Sequence, residues 1–475
     1  MSVGRIFLST VLAGSLAACG GGGGGGNGGN TATGGGGGGN TSTQCSLSDR
    51  QEWVLGQINE FYLFPNLLDT GVNAASFSTV QDYINAIVRP AREQSRDRFF
   101  TFITSIEEEN ALINSGASAG FGIRLAYDTA NNRVFVLEAF ENAPAFAQGF
   151  DRGTELLQIN GQSVATLMAS GGPQAVIDAL GPSDPGVTRS FRIRDTGGVE
   201  RDVSVSKAEF SLDPISDRYG VRVIDDGGKK VGYINLRTFI VDSAGPQLRD
   251  AFQQFRDEGI TEVVMDFRYN GGGLVSVAEL LGDLLGGDKV GEVFSKTTFR
   301  SSLSSNNATA LFRSQPQAIG ATKIAFIGRG GTASASELVA NSFIPYLGNN
   351  TALIGANTFG KPVGQIARDR DVCDDRLRVV AFQSENRNNQ GEYYTGLASV
   401  FPQTCRAGDD VFTQLGDPNE QSIATALDFL AGRTCTPISS SGQQGVQSAR
   451  SVAPEKELMQ PRQPTAAQYR IPGLF

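Results

Sequence analysis

From about Arg218 to Cys435 short apolar runs alternate with stretches of helical spacing, and the run Glu262 to Phe267 is nearly continuous in apolar character. A strand with one wet face alternates apolar and polar residues, so a run of this kind belongs to a strand covered on both sides. Val231 to Phe239, Lys323 to Ile327 and Ala352 to Ile354 read as further strands, with Ala244 to Arg256, Leu274 to Leu285 and Ser336 to Tyr346 as helices between them. The expected fold class is mixed α/β, a sheet flanked by helices. A last helix is expected to start at Asp417-Pro418-Asn419-Glu420, with Asp417 as its N-cap, and to run to about Leu430.

With 475 residues the chain has room for two or three domains of about 100 to 200 residues each. Residues 46–105 place Trp53, Ile58, Phe61, Tyr62, Ile84, Ile87 and Val88 at mostly helical spacing, broken near Pro65 and Pro90, which predicts a small helical cap. Residues 106–210 change to short β-like runs: Gly122 to Tyr127, Arg133 to Ala139, Glu155 to Ile159, Ser190 to Arg194 and Arg201 to Val205, with one helix at Pro173 to Leu180. Residues 211–435 hold the alternating core. Residues 436–475 are rich in Ser, Gln, Pro and charge without periodicity, and read as a disordered C-terminal tail.

The amino end reads as an export signal over residues 1–19: Arg5, an apolar run from Ile6 through Leu12 too short to span a bilayer, then small residues. Its end, Leu16-Ala17-Ala18-Cys19, resembles the bacterial lipobox, which implies lipidation of Cys19 and a periplasm-facing anchor in the cell envelope. Gly20 rather than an acid after that cysteine fits the outer membrane. Residues 20–45 are almost entirely Gly, Asn and Thr, a flexible spacer. Four cysteines remain, Cys45, Cys373, Cys405 and Cys435, an even number suited to disulfides in an oxidising space. Of three pairings, Cys373 with Cys405 and Cys45 with Cys435 are preferred. A zinc site is disfavoured because no C-x-x-C knuckle occurs.

The composition removes whole classes of chemistry. There is no histidine, which excludes Ser-His-Asp and Cys-His mechanisms and histidine-ligated metals. The net charge of -9 gives no basic field for nucleic acid. A nucleophilic mechanism therefore needs another base.

Three segments could carry one. Thr332-Ala333-Ser334-Ala335-Ser336-Glu337 follows a buried strand and a Gly330-Gly331 turn and opens a helix, so a serine there has its hydroxyl near free amides and the positive helix end. Such residues are more commonly plain N-caps. Asn357-Thr358-Phe359-Gly360-Lys361-Pro362-Val363-Gly364-Gln365 approaches a phosphate-binding loop, but Pro362 stands where Ser or Thr must hold magnesium. Lys361 could instead be desolvated, and lowering its pKa from about 10.4 to about 7.5 takes roughly 4 kcal/mol. Asp266-Phe267-Arg268-Tyr269-Asn270-Gly271-Gly272-Gly273 ends the buried strand, with glycines that let backbone approach a ligand or simply turn tightly.

In combination and in this order, these blocks resemble the carboxyl-terminal processing, or tail-specific, serine peptidase family over about Gly116 to Leu430. The resemblance implies a ClpP/crotonase-like core, Ser334 as nucleophile, Lys361 as general base, and an oxyanion hole from Gly271 or Gly272 with Ala335. It implies an orienting role for Gln365, four residues after the lysine. The spacing between the serine and lysine blocks is about two residues longer than usual and could promote Ser336, but block alignment favours Ser334. No acid occurs over Asn341 to Asn350, where some members place one on the helix after the nucleophile, and Pro362 replaces the commoner glycine.

Residues 106–210 resemble a PDZ domain on Ala119-Gly120-Phe121-Gly122-Ile123, Asn142-Ala143-Pro144-Ala145 and Asp151-Arg152-Gly153-Thr154-Glu155-Leu156-Leu157-Gln158-Ile159-Asn160-Gly161. That resemblance implies a carboxylate loop at Gly120, Phe121, Gly122 and Ile123, with Val176 and Leu180 lining an apolar pocket.

The expectation is an exported endopeptidase acting on proteins or peptides with exposed C-termini, without metal or organic cofactor. Its partners include the membrane through the lipid anchor, and an adaptor or homo-oligomer is left open. The first rival is a catalytically silent PDZ-containing peptide-binding scaffold. The second is a penicillin-recognising acylase, from the S-x-x-K string Ser204-Val205-Ser206-Lys207, which lies in an alternating strand without its companion motifs.

Overall fold

The computed structural model describes residues 44–438 and 456–475. Cys19 and residues 20–43 of the spacer lie outside the described residues, as do residues 439–455. Among the described residues no helix is long and apolar enough to cross a membrane.

The core is a six-stranded sheet. A hairpin, Val221–Asp226 with Lys229–Asn235, turns through Gly227 and Gly228, both at positive φ as a two-residue hairpin turn requires. From Lys229–Asn235 the sheet continues in parallel through Glu262–Asp266, Lys323–Gly328, Thr351–Gly355 and Thr404–Arg406. Alternate residues of Glu262–Asp266 face opposite layers. Val263 and Met265 join Leu248, Phe252, Leu281 and Val339 of the helices Ala244–Asp257, Val275–Leu285 and Ala335–Leu347. Val264 joins Ile423, Ala426 and Leu427 of the helix Gln421–Leu430 on the other face. Double coverage accounts for the apolar run, and the mixed α/β expectation holds.

Two smaller bodies complete the chain. Helices Leu47–Phe61 and Val80–Ile87 pack Val54, Ile58, Ile84 and Ile87 onto Val363, Leu377 and Val379 of a five-stranded antiparallel sheet. That sheet draws Phe102–Ser105 from the end of the helical region and the long strand Asp375–Glu385 from the core. In the β-rich module, Ile123–Asp128, Arg133–Ala139, Glu155–Ile159, Thr188–Arg194 and Glu200–Ser206 form one antiparallel sheet. Its helix Val164–Leu180 breaks at Gly172 (φ 63°), just before Pro173, so the sequence had indicated only the second half.

Three expectations are corrected. The disulfides are Cys45–Cys373 and Cys405–Cys435. Cys373 tips a hairpin of the antiparallel sheet, where Arg370 holds the carbonyl of Gln44, whereas Cys405 lies on the core sheet, where Arg406 bonds Thr436 as the chain returns. The last core helix starts three residues later than expected. Glu420, not Asp417, caps it by accepting from the Ser422 and Ile423 amides. Finally, residues 456–475 are ordered, with a strand at Glu457–Leu458 and a helix at Ala466–Arg470.

The Glu420 cap is also one partner of a buried ionic group. Arg268 donates to Asp266 at 2.9 Å and to Glu420 at 2.8 Å, and all three side chains are 0% exposed. Removing the cation leaves two carboxylates unpaired in a dry site, which costs about 3–5 kcal/mol. Arg268→Ala is therefore expected to lose stability on that scale in denaturant unfolding, and a loss below about 1 kcal/mol would contradict this account.

Candidate active site

Ser334 stands between the strand Lys323–Gly328 and the helix Ala335–Leu347, at φ 57° and ψ −115°. A non-glycine residue at such angles stores about 1–3 kcal/mol and persists only where its surroundings enforce it. They do so here through the glycine turn. A Cβ on Gly272 would lie 2.8 Å from the Ser334 Cβ and 2.9 Å from the Ala335 nitrogen, so only glycine lets the turn approach this closely. Asn270 fastens the two segments. Its carbonyl accepts from the Ala333 amide (3.0 Å) and the Ser336 hydroxyl (3.1 Å), and its side chain donates to the Leu236 carbonyl.

These contacts sort the candidates. Ser336 is fully buried and holds Asn270, a packing role. The Gly272 amide donates to Asn270 Oδ1 at 2.9 Å and is not available to an oxyanion, which corrects that alternative. The Gly271 and Ala335 amides have no hydrogen-bond partner among the described residues. Ala335 opens its helix, where backbone N–H groups lack an intrahelical acceptor.

The residue that organises the site is one the sequence reading quoted without giving it a role. Glu337 is fully buried and accepts four hydrogen bonds. Oε1 takes the Thr358 hydroxyl (2.6 Å) and the Gly360 amide (2.7 Å), and Oε2 takes the Ser334 amide (3.0 Å) and the Lys361 amide (2.7 Å). The nitrogens of Ser334 and Lys361 touch one oxygen, so they lie within 5.7 Å of each other. Burial pushes the carboxyl of Glu337 up, while its donors pull it down. An ionised carboxylate, which only accepts, is the species that matches four donors. The S-x-x-E spacing from Ser334 to Glu337 is a capping-box signature and was the available signal.

Lys361 is half-buried by surface, but protein surrounds its amine. Desolvation lowers its pKa from 10.5 to about 7, the Arg470 charge adds to the lowering, and Asp97 and Glu337 oppose it. Its Nζ lies 4.8 Å from the Phe100 ring centre and donates to Gln365 Oε1 at 3.0 Å. Gln365 in turn donates to the Phe100 carbonyl, which orients its oxygen toward the amine. Lys361 makes no hydrogen bond to the Ser334 hydroxyl in this structure. The glycine before it is required, because at φ 86° a Cβ on Gly360 would meet the Tyr394 carbonyl at 2.5 Å.

The β-rich module brings its six candidates together. Phe121, Ile123, Val176 and Leu180 share one buried cluster; Gly120 ends the strand Ala117–Gly120 and Gly122 immediately precedes the strand Ile123–Asp128. Ser204 and Lys207, by contrast, do not form a site. Ser204 is exposed, while Lys207 is buried and donates to the Gly181 and Pro182 carbonyls, closing a loop.

Residues 230–403 match the profile of peptidase family S41, a span that includes Ser334, Glu337, Lys361, Gln365 and the glycine turn. The chain is 26% identical over 282 residues to a "Probable CtpA-like serine protease" of Staphylococcus aureus (strain N315), covering 58% of this chain and 51% of that protein. It is 25% identical over 268 residues to "Carboxyl-terminal-processing peptidase 3, chloroplastic" of Arabidopsis thaliana, covering 56% and 50%. It thus spans about half the length of the curated relatives it matches. A crystal structure from Bacteroides fragilis NCTC 9343 ascribed to an S41 protease shares the fold, with TM-score 0.61 and 22% identity over 80% of this chain and 97% of that one. The serine and lysine blocks joined by Glu337, and the glycine turn beside them, all lie inside the span of this chain, residues 230–403, that matches peptidase family S41.

Proposed function

We propose that this chain is an exported serine-type endopeptidase of the carboxyl-terminal processing kind, working through a Ser334/Lys361 dyad. The observation that carries the reading is Glu337 Oε2, which accepts from the backbones of both residues, beside an amine whose pKa burial lowers to about 7. A lysine that is half neutral near pH 7 can act as a base where an ordinary lysine cannot.

Lys361 takes the Ser334 hydroxyl proton as the serine oxygen bonds to the scissile carbonyl carbon. The Gly271 and Ala335 amides and the helix N-terminus receive the negative oxygen. The ammonium then protonates the leaving amine and the acyl-serine ester remains. Water gives a proton to the same amine and attacks the ester, which releases the new carboxyl end and restores the serine. Gln365 orients the amine by accepting its hydrogen bond.

The module at 106–210 acts in this reading as a PDZ domain that binds substrate C-termini. Its support is a pair of successive amides, Gly122 and Ile123, that converge on one oxygen beside the apolar cluster of Val176 and Leu180. By the same proposal the enzyme is lipid-anchored through Cys19 and faces the periplasm, a reading supported by the export-signal pattern of residues 1–19.

The pH profile tests the mechanism. Below about pH 7 Lys361 carries a proton and cannot accept another, so kcat/KM for a tailed peptide is expected to rise with pH through about 7 and level off above it. A profile that is flat from pH 5 to 9, or that rises only near 10, would remove Lys361 as the base. Absence of casein and peptide cleavage at every pH, in the chain starting at Gln44 and in its activated variants described below, would favour the silent scaffold.

A further inference from the structure

We propose that residues 456–475 are a built-in pseudosubstrate, which occupies the terminus-binding groove and the reaction cleft at once and is displaced by peptides that place an aromatic side chain where Phe475 sits. This rests on the peptidase and PDZ reading above.

The groove is full. The Gly122 and Ile123 amides both donate to the main-chain oxygen of Phe475, at 2.8 and 3.0 Å, and the Phe475 amide donates to the Ile123 carbonyl at 2.8 Å. The Leu125 amide donates to the Gly473 carbonyl at 2.8 Å. The outer half of the same edge strand is taken by Glu457–Leu458, paired antiparallel to Tyr127 and Ala126, and by the Met459 amide on the Leu125 carbonyl. A peptide that adds to this edge as an extra strand needs these same groups, so it and the segment exclude each other. The side chain of Phe475 is 3% exposed in the cluster with Phe121, Val176 and Leu180. A pocket shaped around one phenylalanine states the preference: an aromatic side chain at the position Phe475 takes.

The cleft is covered by the same stretch of chain. A Cβ on Gly271 would meet Pro472 Cδ at 2.9 Å and the Arg470 carbonyl at 3.0 Å, so this segment lies against the amide assigned to the oxyanion. Arg470 reaches Gln365 Oε1 at 3.5 Å, the oxygen that holds the Lys361 amine, while two hydrogen bonds of 3.0 and 2.7 Å fix its guanidinium to Glu109. Tyr469 stacks on Phe102 with ring centres 3.9 Å apart. Ile471 and Leu474 are buried against Phe140, Phe210, Ile240 and Val241. A substrate chain that runs from the groove to Ser334 must follow the path this segment fills.

The experiment uses two full-chain variants, Phe475→Asp at the groove and Ile471→Asp at the cleft, each checked for an unchanged far-UV spectrum. Turnover of casein is expected to rise at least tenfold in each. In a Ser334→Ala background, labelled Ile-Pro-Gly-Leu-Phe with a free carboxylate is expected to bind the Phe475→Asp chain at least tenfold more tightly than the chain with Phe475, and to lose affinity when its Phe is replaced by Ala. Equal binding to both chains, or equal affinity for the Ala peptide, would overturn the proposal. Measurable casein turnover that is equal in folded variants and parent would also overturn it. Binding does not need catalysis, so silence in every turnover assay together with the expected binding differences would sink the peptidase reading and leave the docked segment standing.

Discussion

Replacing Ser334 by Ala, or Lys361 by Met, is expected to lower kcat about 10⁴-fold or more, with the fold and peptide binding retained. On the proposed mechanism the first change removes the atom that forms the acyl bond. The second removes the proton acceptor and places an apolar chain of similar length in the same desolvated slot beside Phe100. The double variant is expected to be no worse than either single one, because nucleophile and base act as a unit and the loss of one makes the other idle. Lys361→Arg should fail as completely as Lys361→Met, since a guanidinium stays protonated at any working pH. Cleavage products are read by mass spectrometry under single-turnover conditions. A Lys361→Met enzyme that retains a tenth of the parent rate would show that the proton leaves by another route.

Glu337→Gln is expected to lower kcat about 10²-fold although the dyad is intact. The carboxylate accepts from Ser334, Thr358, Gly360 and Lys361. An amide of the same shape has only one accepting oxygen, so its NH₂ must face two donors with nothing to accept from them. The two blocks then separate, and a displacement of about 1 Å between reacting groups costs about 10²-fold. Stability should also fall, by about 1–3 kcal/mol for each buried donor left unmatched. The diagnostic is the split: kcat drops while KM for a tailed peptide stays near the parent value, because Glu337 does not line the groove. An unchanged kcat would reduce Glu337 to a helix cap.

Much of the architecture could be read from the chain because local chemistry specifies it. The run Glu262–Phe267 declared a doubly covered strand, and helices do pack on both of its faces. The five short runs of the β-rich module reappear within a residue or two as its strands. Less was legible where the decisive contact is remote. The strand Asp375–Glu385 belongs to a second sheet that the alternation pattern did not announce, because two of its partners, Phe102–Ser105 and Val293–Phe299, are remote in the chain. Disulfide partners followed the same rule. Spacing does not say that Cys45 meets Cys373 until the helix Leu47–Phe61 has packed on that sheet.

The chain alone supplied the candidates: without histidine a nucleophile needs another base, and the serine, lysine and glycine blocks, through their resemblance to the carboxyl-terminal processing family, imply Ser334 and Lys361. Only the tertiary structure decided how they meet. The S-x-x-E spacing signals the bond of Glu337 to Ser334, but its bonds to the Gly360 and Lys361 amides could come from any residue except proline and leave no pattern to read. Residues 456–475 illustrate the same physics, since a segment without hydrophobic periodicity gains order by lending main-chain hydrogen bonds to an edge strand more than three hundred residues away.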